Sequence, residues 1–267
     1  MTRYTASGVR LRRRASRGAG PDWLFLPGGP GIGSESLHEL VDALDVPGTC
    51  WMVDLPGDGS NVDAPGAPAD PYSVWPGAVV EAAQAVDAPV FVGHSTGGMY
   101  LLATPELEPL LRGLVLVDTA PDASWMATFA AMTQAHPLPP VDEATARYEA
   151  EPSDANLRAL AVASAPWNFE DVEAGAELLA RMPYNGAAVA WSDEHFDHTY
   201  AARWWPAALP VLIVSGSEDR IVDQSLWDVA RFAAADRAVI DGGGHFPWLE
   251  RPDAVREAFR RFSAACS

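Results

Sequence analysis

Val90-Phe91-Val92-Gly93-His94-Ser95-Thr96-Gly97-Gly98 is the stretch on which the 267-residue chain turns. A β-rich apolar run enters a Gly-x-Ser-x-Gly turn, and a helix pattern over residues 97–102 leaves it. A residue on so tight a strand-to-helix turn must take up a strained backbone. Gly93 and Gly97 remove the side chains that would collide there. Ser95 Oγ is then pushed out at the end of a strand, where the helix N-terminus favours developing negative charge. The plainer reading is a glycine-rich helix start with Ser95 as its cap; the pattern on either side favours a nucleophile.

Working outward, residues 23–26, 50–53, 89–92, 114–117, 211–214 and 237–240 read as short, nearly continuous apolar strands. Helical patterns lie between them. Leu37, Leu40, Val41 and Leu44 fall on one helix face, residues 74–86 and 224–234 read as helices, and a last helix from Pro252 carries Val255, Phe259 and Phe262. In the N-terminal segment, Val9 and Leu11 alternate with polar residues like an edge strand. Strand–helix alternation with apolar strands predicts an α/β fold, a mostly parallel central sheet with helices on both faces. From 121 to 206 the rhythm breaks: no strand is legible, and helical stretches rich in Trp, Tyr and Phe replace it. The chain therefore divides into a core of 1–120 and 207–267 and a helical lid of 121–206, placed where open α/β sheets bind ligands.

Composition narrows the function classes. Hydrophobic residues make up 48% of the chain, enough for a core, and no apolar run approaches the ~18 residues of a membrane span. The Arg-rich N-terminus lacks the apolar stretch of a secretory signal. A net charge of −18 would be repelled by nucleic acid and by anionic membranes. Two cysteines, Cys50 and Cys266, suit a reducing cytoplasm rather than a disulfide framework. The expected partner is a small-molecule substrate met by a monomer or homodimer, with no cofactor and no metal.

Two more segments complete a site. Asp219 follows the strand over residues 211–214, where a carboxylate can reach across strand ends toward a histidine. Its rivals are Glu218 beside it, Asp223, which suits a helix cap, and Asp118, which ends the strand after Ser95. His245 lies in Gly242-Gly243-Gly244-His245 after the last strand; His38, His94, His136, His195 and His198 do not follow a strand near the C-terminus. Ser95, Asp219 and His245 then stand in the order Ser…Asp…His. Pro27-Gly28-Gly29-Pro30-Gly31 is a turn that can aim a backbone N–H beside that of Thr96 to form an oxyanion hole. Gly29 is the first choice and Gly28 the alternative, since Pro30 has no N–H.

These motifs resemble the α/β-hydrolase fold family, over nearly the whole chain outside the lid. Asp54-Leu55-Pro56-Gly57-Asp58-Gly59 is similar to that family's Asp-x-x-Gly-x-Gly loop. The Gly28-Gly29-Pro30-Gly31 turn is similar to that of proline iminopeptidase-like members, with Pro27 where those carry His. The Gly-His-Ser-Thr-Gly-Gly elbow is more like that of esterases and cofactor-free perhydrolases than the Gly-Gly-Ser-Trp-Gly of true proline iminopeptidases. A Ser nucleophile departs from the dehalogenase and epoxide hydrolase members, which the resemblance implies would use Asp. The resemblance implies a serine hydrolase cleaving an ester or amide of a small, partly apolar substrate through an acyl-enzyme on Ser95. An aminopeptidase is the second reading, since Glu143, Glu149, Glu170, Asp171, Glu173 and Glu177 could hold an ammonium. A carbon–carbon bond hydrolase is a third, and a ligand receptor on the same fold is the non-enzyme alternative. Trp125, Trp167, Tyr184, Trp191 and Trp204 are the candidate pocket residues, expected to wall an apolar space above Ser95.

Overall fold

Each apolar run forms a strand, and two strands precede them. The computed structural model describes residues 1–266. The strands are β1 (Thr2–Tyr4), β2 (Arg10–Arg17), β3 (Asp22–Leu26), β4 (Gly48–Asp54), β5 (Val90–His94), β6 (Gly113–Val117), β7 (Val211–Gly216) and β8 (Asp236–Ile240). They make one sheet in the order β1-β2-β4-β3-β5-β6-β7-β8. From β4 through β8 every pairing is parallel; β1 and β2 join antiparallel. β1 takes the outer edge, so β2 lies one strand in, and Val9 and Leu11 are buried. β5, β6 and β7 are buried at every residue, which is why their sequences run apolar without alternating.

Side chains still alternate between two cores. Leu24, Phe91, Leu114 and Ile213 point to one face, where they meet Trp75 and Val79 of α2 (Trp75–Gln84) and Leu101 of α3 (Thr96–Leu102). Trp23, Phe25, Val92 and Leu212 point to the other. There they meet Leu40 and Val41 of α1 (His38–Ala43) and the apolar stripe Val255, Phe259 and Phe262 of the C-terminal helix. Burying each of those phenylalanines contributes about 1.5–3 kcal/mol.

Between β6 and β7 the chain forms α4 (Trp125–Ala135), α5 (Pro139–Ala150), α6 (Asp154–Ala163), α7 (Ala165–Asn168), α8 (Val172–Ala180) and α9 (Gly186–His195). Prolines start α5 and α7 rather than break them, because the first turn needs no N–H there. One antiparallel bridge, Asp122 to Ala201, draws the two ends of this segment together, and Tyr200 Oη donates to the Ala120 carbonyl. The chain closes with α10 (Pro247–Glu250) and α11 (Pro252–Ala265).

The helix expected over residues 224–234 does not form. Two short 3₁₀ turns, Gln224–Trp227 and Ala230–Phe232, take its place. The Trp227 carbonyl accepts from the Arg237 guanidinium, and Trp227 Nε1 donates to the Thr119 carbonyl. The backbone acceptor that an α-helix would use is thus engaged by β8, and the indole holds Trp227 against the loop after β6.

Candidate active site

Ser95, Asp219 and His245 follow β5, β7 and β8, so parallel pairing brings all three to the carboxyl edge of the sheet. Ser95 sits at φ 50°, ψ −126°, a left-handed conformation that a non-glycine residue holds only when its surroundings impose it. Here they do. Ser95 N donates to the Val117 carbonyl at 2.9 Å, and Thr119 Oγ1 donates to the Ser95 carbonyl at 2.6 Å. A Cβ on Gly93 would lie 2.6 Å from the Gly98 Cα, and one on Gly97 would lie 2.4 Å from the Pro27 carbonyl oxygen. Both glycines of the motif are therefore required by backbone contact.

His245 Nδ1 donates to Asp219 Oδ1 at 3.1 Å, with the two side chains 5% and 0% exposed. Asp219 is held by four further donors or neighbours. Ile221 N and Val222 N donate to Oδ1 at 2.9 and 3.2 Å, and Gln224 Nε2 donates to Oδ2 at 3.0 Å. Ser215 Oγ fixes Gln224 from behind at 2.8 Å. The buried Asp118 carboxyl is the remaining neighbour, within hydrogen-bonding reach of Asp219. Of the rival acids, Glu218 is exposed and Asp223 caps the next turn through Ser225 N.

His94 underlies the histidine loop. Its Nε2 donates to the His245 carbonyl at 2.9 Å, and its ring packs on those of His245, Phe246 and Trp248. Burial holds its pKa well below the usual imidazole value, so it is a neutral donor. The other face of that loop is tied to the inserted helices. His245 N donates to the Asn168 carbonyl, and Glu250 accepts from Gly244 N, Glu170 N and Asp171 N.

The glycine turn closes the near side. A Cβ on Gly28 would lie 2.6 Å from Ser95 Cβ, so the turn backbone lies directly against the serine. Thr96 Oγ1 donates to the Gly29 carbonyl at 3.1 Å, linking turn and elbow. Asp58 Oδ1 accepts from Gly31 N at 2.7 Å; full burial pushes the Asp58 carboxyl up to about 7. Asp54 Oδ1 holds Ser34 N, and its Oδ2 meets Arg10 and Arg12.

The five candidate pocket aromatics are not gathered in one place. Trp204 Nε1 is bound to the Leu101 carbonyl behind α3, and Trp167 Nε1 to the His136 carbonyl. Trp125 and Trp167 share contacts with Phe129. Tyr184 lies under the Arg158 guanidinium. Trp191 lines a cavity of about 330 Å³ between α2, α3 and α9, together with Trp75, Tyr100, Phe196 and Tyr200. A second, more open cleft of about 640 Å³ runs past Phe129, Met132, Asp219 and Gln224. Glu143, Glu149, Glu170, Asp171, Glu173 and Glu177 are all exposed, and Glu170 pairs with Arg220. Among the described residues no group of three His, Cys, Asp or Glu is placed to hold a metal, and no helix is long and apolar enough to cross a membrane.

Sequence reasoning missed Thr119, Gln224, Glu250 and the supporting role of His94. Asp118 and Thr119 carried a faint signal, as polar residues directly after the strand that pairs with β5.

The model of the "Alpha/beta hydrolase family" matches residues 23–258. The pimeloyl-[acyl-carrier protein] methyl ester esterase of Xanthomonas campestris pv. campestris (strain B100) is 29% identical over 229 residues, 85% of this chain and 88% of the relative. The protein of the same description from Xylella fastidiosa (strain M12) is 27% identical over 269 residues, covering 92% and 96%. Among solved structures, a proline iminopeptidase-related protein from Thermus thermophilus matches with TM-score 0.74 at 22% identity, covering 99% of this chain and 97% of that one. An esterase from Rhodococcus sp. ECU1013 matches with TM-score 0.69 at 17% identity, covering 97% and 95%.

Proposed function

The chain belongs to the alpha/beta hydrolase family, and from that premise we propose that it is a serine hydrolase cleaving an ester of a small, partly apolar substrate through an acyl-enzyme on Ser95. The observation that carries this reading is the strained elbow at Ser95, standing on the same sheet edge as the buried His245–Asp219 pair. With Nδ1–H given to Asp219, the His245 Nε2 is left as the base that takes the Ser95 proton as Oγ attacks the carbonyl. Asp219 fixes the tautomer and stabilises the imidazolium that forms. The N–H groups of Thr96 and Gly29, with Gly28 the alternative, receive the oxyanion; one such donor is worth about 3 kcal/mol. As the tetrahedral intermediate collapses to the acyl-enzyme, His245 passes that proton to the departing alkoxide, and the neutral imidazole then activates water to release the acyl group.

The ester reading is supported by sequence relatives that are named methyl ester esterases. The aminopeptidase reading needs a carboxylate facing the serine, and the six candidate acids are exposed. In the proposed domain division, residues 121–206 form a lid, whose Trp191, Phe196 and Tyr200 line an apolar cavity against α2 and α3 that does not include Ser95, Thr96 or His245 in its lining. The working partner is a small molecule, in the cytoplasm.

Ser95→Ala is expected to abolish hydrolysis of p-nitrophenyl esters and labelling by a fluorophosphonate, with an unchanged melting curve. Labelling that survives the substitution would overturn the assignment. Faster turnover of free-amine aminoacyl anilides than of neutral esters would reverse the order of the two readings.

A further inference from the structure

We propose that Asp118 is a positioning residue that holds a proton and donates it to Asp219, so that the two carboxyls share one proton behind His245. The proposal rests on the triad reading above and adds a fourth group to it.

Asp118 directly follows β6 at φ 44°, in the left-handed region, and it is 0% exposed. Oδ1 accepts from Gly216 N at 2.7 Å, which ties it to the end of β7, just before Asp219. Oδ2 is fully buried and has no donor. The Asp118 side chain interacts with the Asp219 carboxyl, another acceptor. Two carboxylates so placed repel each other and leave a buried oxygen unsatisfied, which is costly. One proton on Asp118 Oδ2 removes both penalties at once. The Asp118 O–H becomes a donor to Asp219, and the orphaned oxygen is satisfied.

The proton belongs on Asp118 rather than on Asp219. Asp219 already receives His245 Nδ1, Ile221 N, Val222 N and Gln224 Nε2, so donors already engage both of its oxygens. Asp118 receives one. The charged groups facing Asp118 are Asp219 and, farther off, Glu250, both acids; burial first and then Asp219 raise its pKa well above the carboxylate range. Asp219 in this arrangement has no freedom to rotate away from His245, since donors hold both of its oxygens.

The test compares Asp118→Asn, whose amide keeps a donor toward Asp219, with Asp118→Leu, which has none. Asp118→Asn is expected to keep kcat/KM for a neutral ester within about threefold of the parent, and Asp118→Leu to lose at least about tenfold, in kcat rather than KM. Infrared spectra of the unsubstituted protein, recorded well above the Asp58 value of about 7, are expected to contain the carbonyl band of a protonated carboxylic acid. That band should be missing from Asp118→Asn. The infrared readout does not depend on catalysis and holds even if Asp118→Leu fails to fold. A spectrum without the band overturns the proposal. So does a loss in Asp118→Asn as deep as that in Asp219→Asn, which would mean that Asp118 acts as an anion. Activity surviving in Ser95→Ala would count against the serine mechanism and leave the shared proton to be judged by the band alone.

Discussion

At the scale of single residues, two contacts make sharp demands on the glycine turn. Gly28 has no room for a methyl group: its Cβ would lie 2.6 Å from Ser95 Cβ and 2.9 Å from the His94 carbonyl oxygen, both rigid parts of the elbow. Gly28→Ala must push the turn away from the serine, and displacements of about 1 Å near reacting atoms cost about 100-fold. A kcat lowered by about that factor, with the melting curve close to that of the parent, is the expected result. Kinetics within threefold of the parent would show that the turn is not part of the machinery. Asp58 holds the far end of the same turn through Gly31 N. Because burial pushes its carboxyl up to about 7, the folded protein keeps a proton that the unfolded chain has released from about pH 4 upward. The native state binds more protons in that window, so this group's contribution to stability falls as pH rises from about 4 to about 7, then levels off. Asp58→Asn removes the titration. Its stability relative to the parent should climb through that window by about 1.4 kcal/mol per pH unit, as read by urea denaturation at a series of pH values. A difference that does not vary with pH would mean that Asp58 is ionised throughout.

Elements are held to one another at this site by a few long-range acceptors, and Glu250 of α10 is the clearest. One oxygen accepts from Glu170 N and Asp171 N of the proposed lid, and the other from Gly244 N of the histidine loop. Glu250→Ala leaves three N–H groups without their acceptor, where a bond to a charged partner is worth about 1.5–3 kcal/mol. A destabilisation of about 2 kcal/mol is expected in chemical denaturation, accompanied by a fall in kcat; unchanged kcat would indicate that His245 is held adequately by Asn168 and His94 alone. None of this was legible in the sequence, because Glu250 and Glu170 are separated by 80 residues and share no motif. The strands were legible for the opposite reason. β5, β6 and β7 are buried on both faces, so nearly every position except His94 and Ser215 near their carboxyl ends is apolar or glycine, and the run itself is the signal. The elbow was legible because sterics restrict Gly93 and Gly97 to one residue type. The expected helix over residues 224–234 failed where tertiary contacts prevailed: Arg237 and Thr119 engage Trp227, and no periodicity reports that. The inward-facing aromatics could not be chosen from the sequence either. Trp167 and Trp204 spend their N–H groups on backbone carbonyls of His136 and Leu101, which only the fold brings near.

The molecule as a whole carries a net charge of −18, which acts on a substrate before any contact is made. Ion pairs such as Arg10–Asp54, Arg220–Glu170 and Arg260–Asp45 neutralise some acids locally, yet acidic residues outnumber basic ones 36 to 18. The surplus is spread over a surface that includes the exposed acids of the proposed lid, so an approaching anion meets a repulsive field. That field reaches about 30 Å at 0.01 M salt and only about 3 Å at 1 M. Its effect falls on encounter rather than on the chemical step, because the charges at the reacting centre are buried and poorly screened. For an ester bearing a free carboxylate, kcat/KM should therefore rise several-fold as salt increases across that range, while kcat changes little. A neutral p-nitrophenyl ester of the same chain length should give a nearly flat profile in both parameters. The pair of substrates separates steering from any general effect of salt on the fold, which would move both profiles together. A flat profile for the anionic ester would mean that the approach to Ser95 is locally neutral despite the overall charge. A fall with salt would mean that it is lined by cations, which would then select acidic substrates in spite of the acidic surface around them.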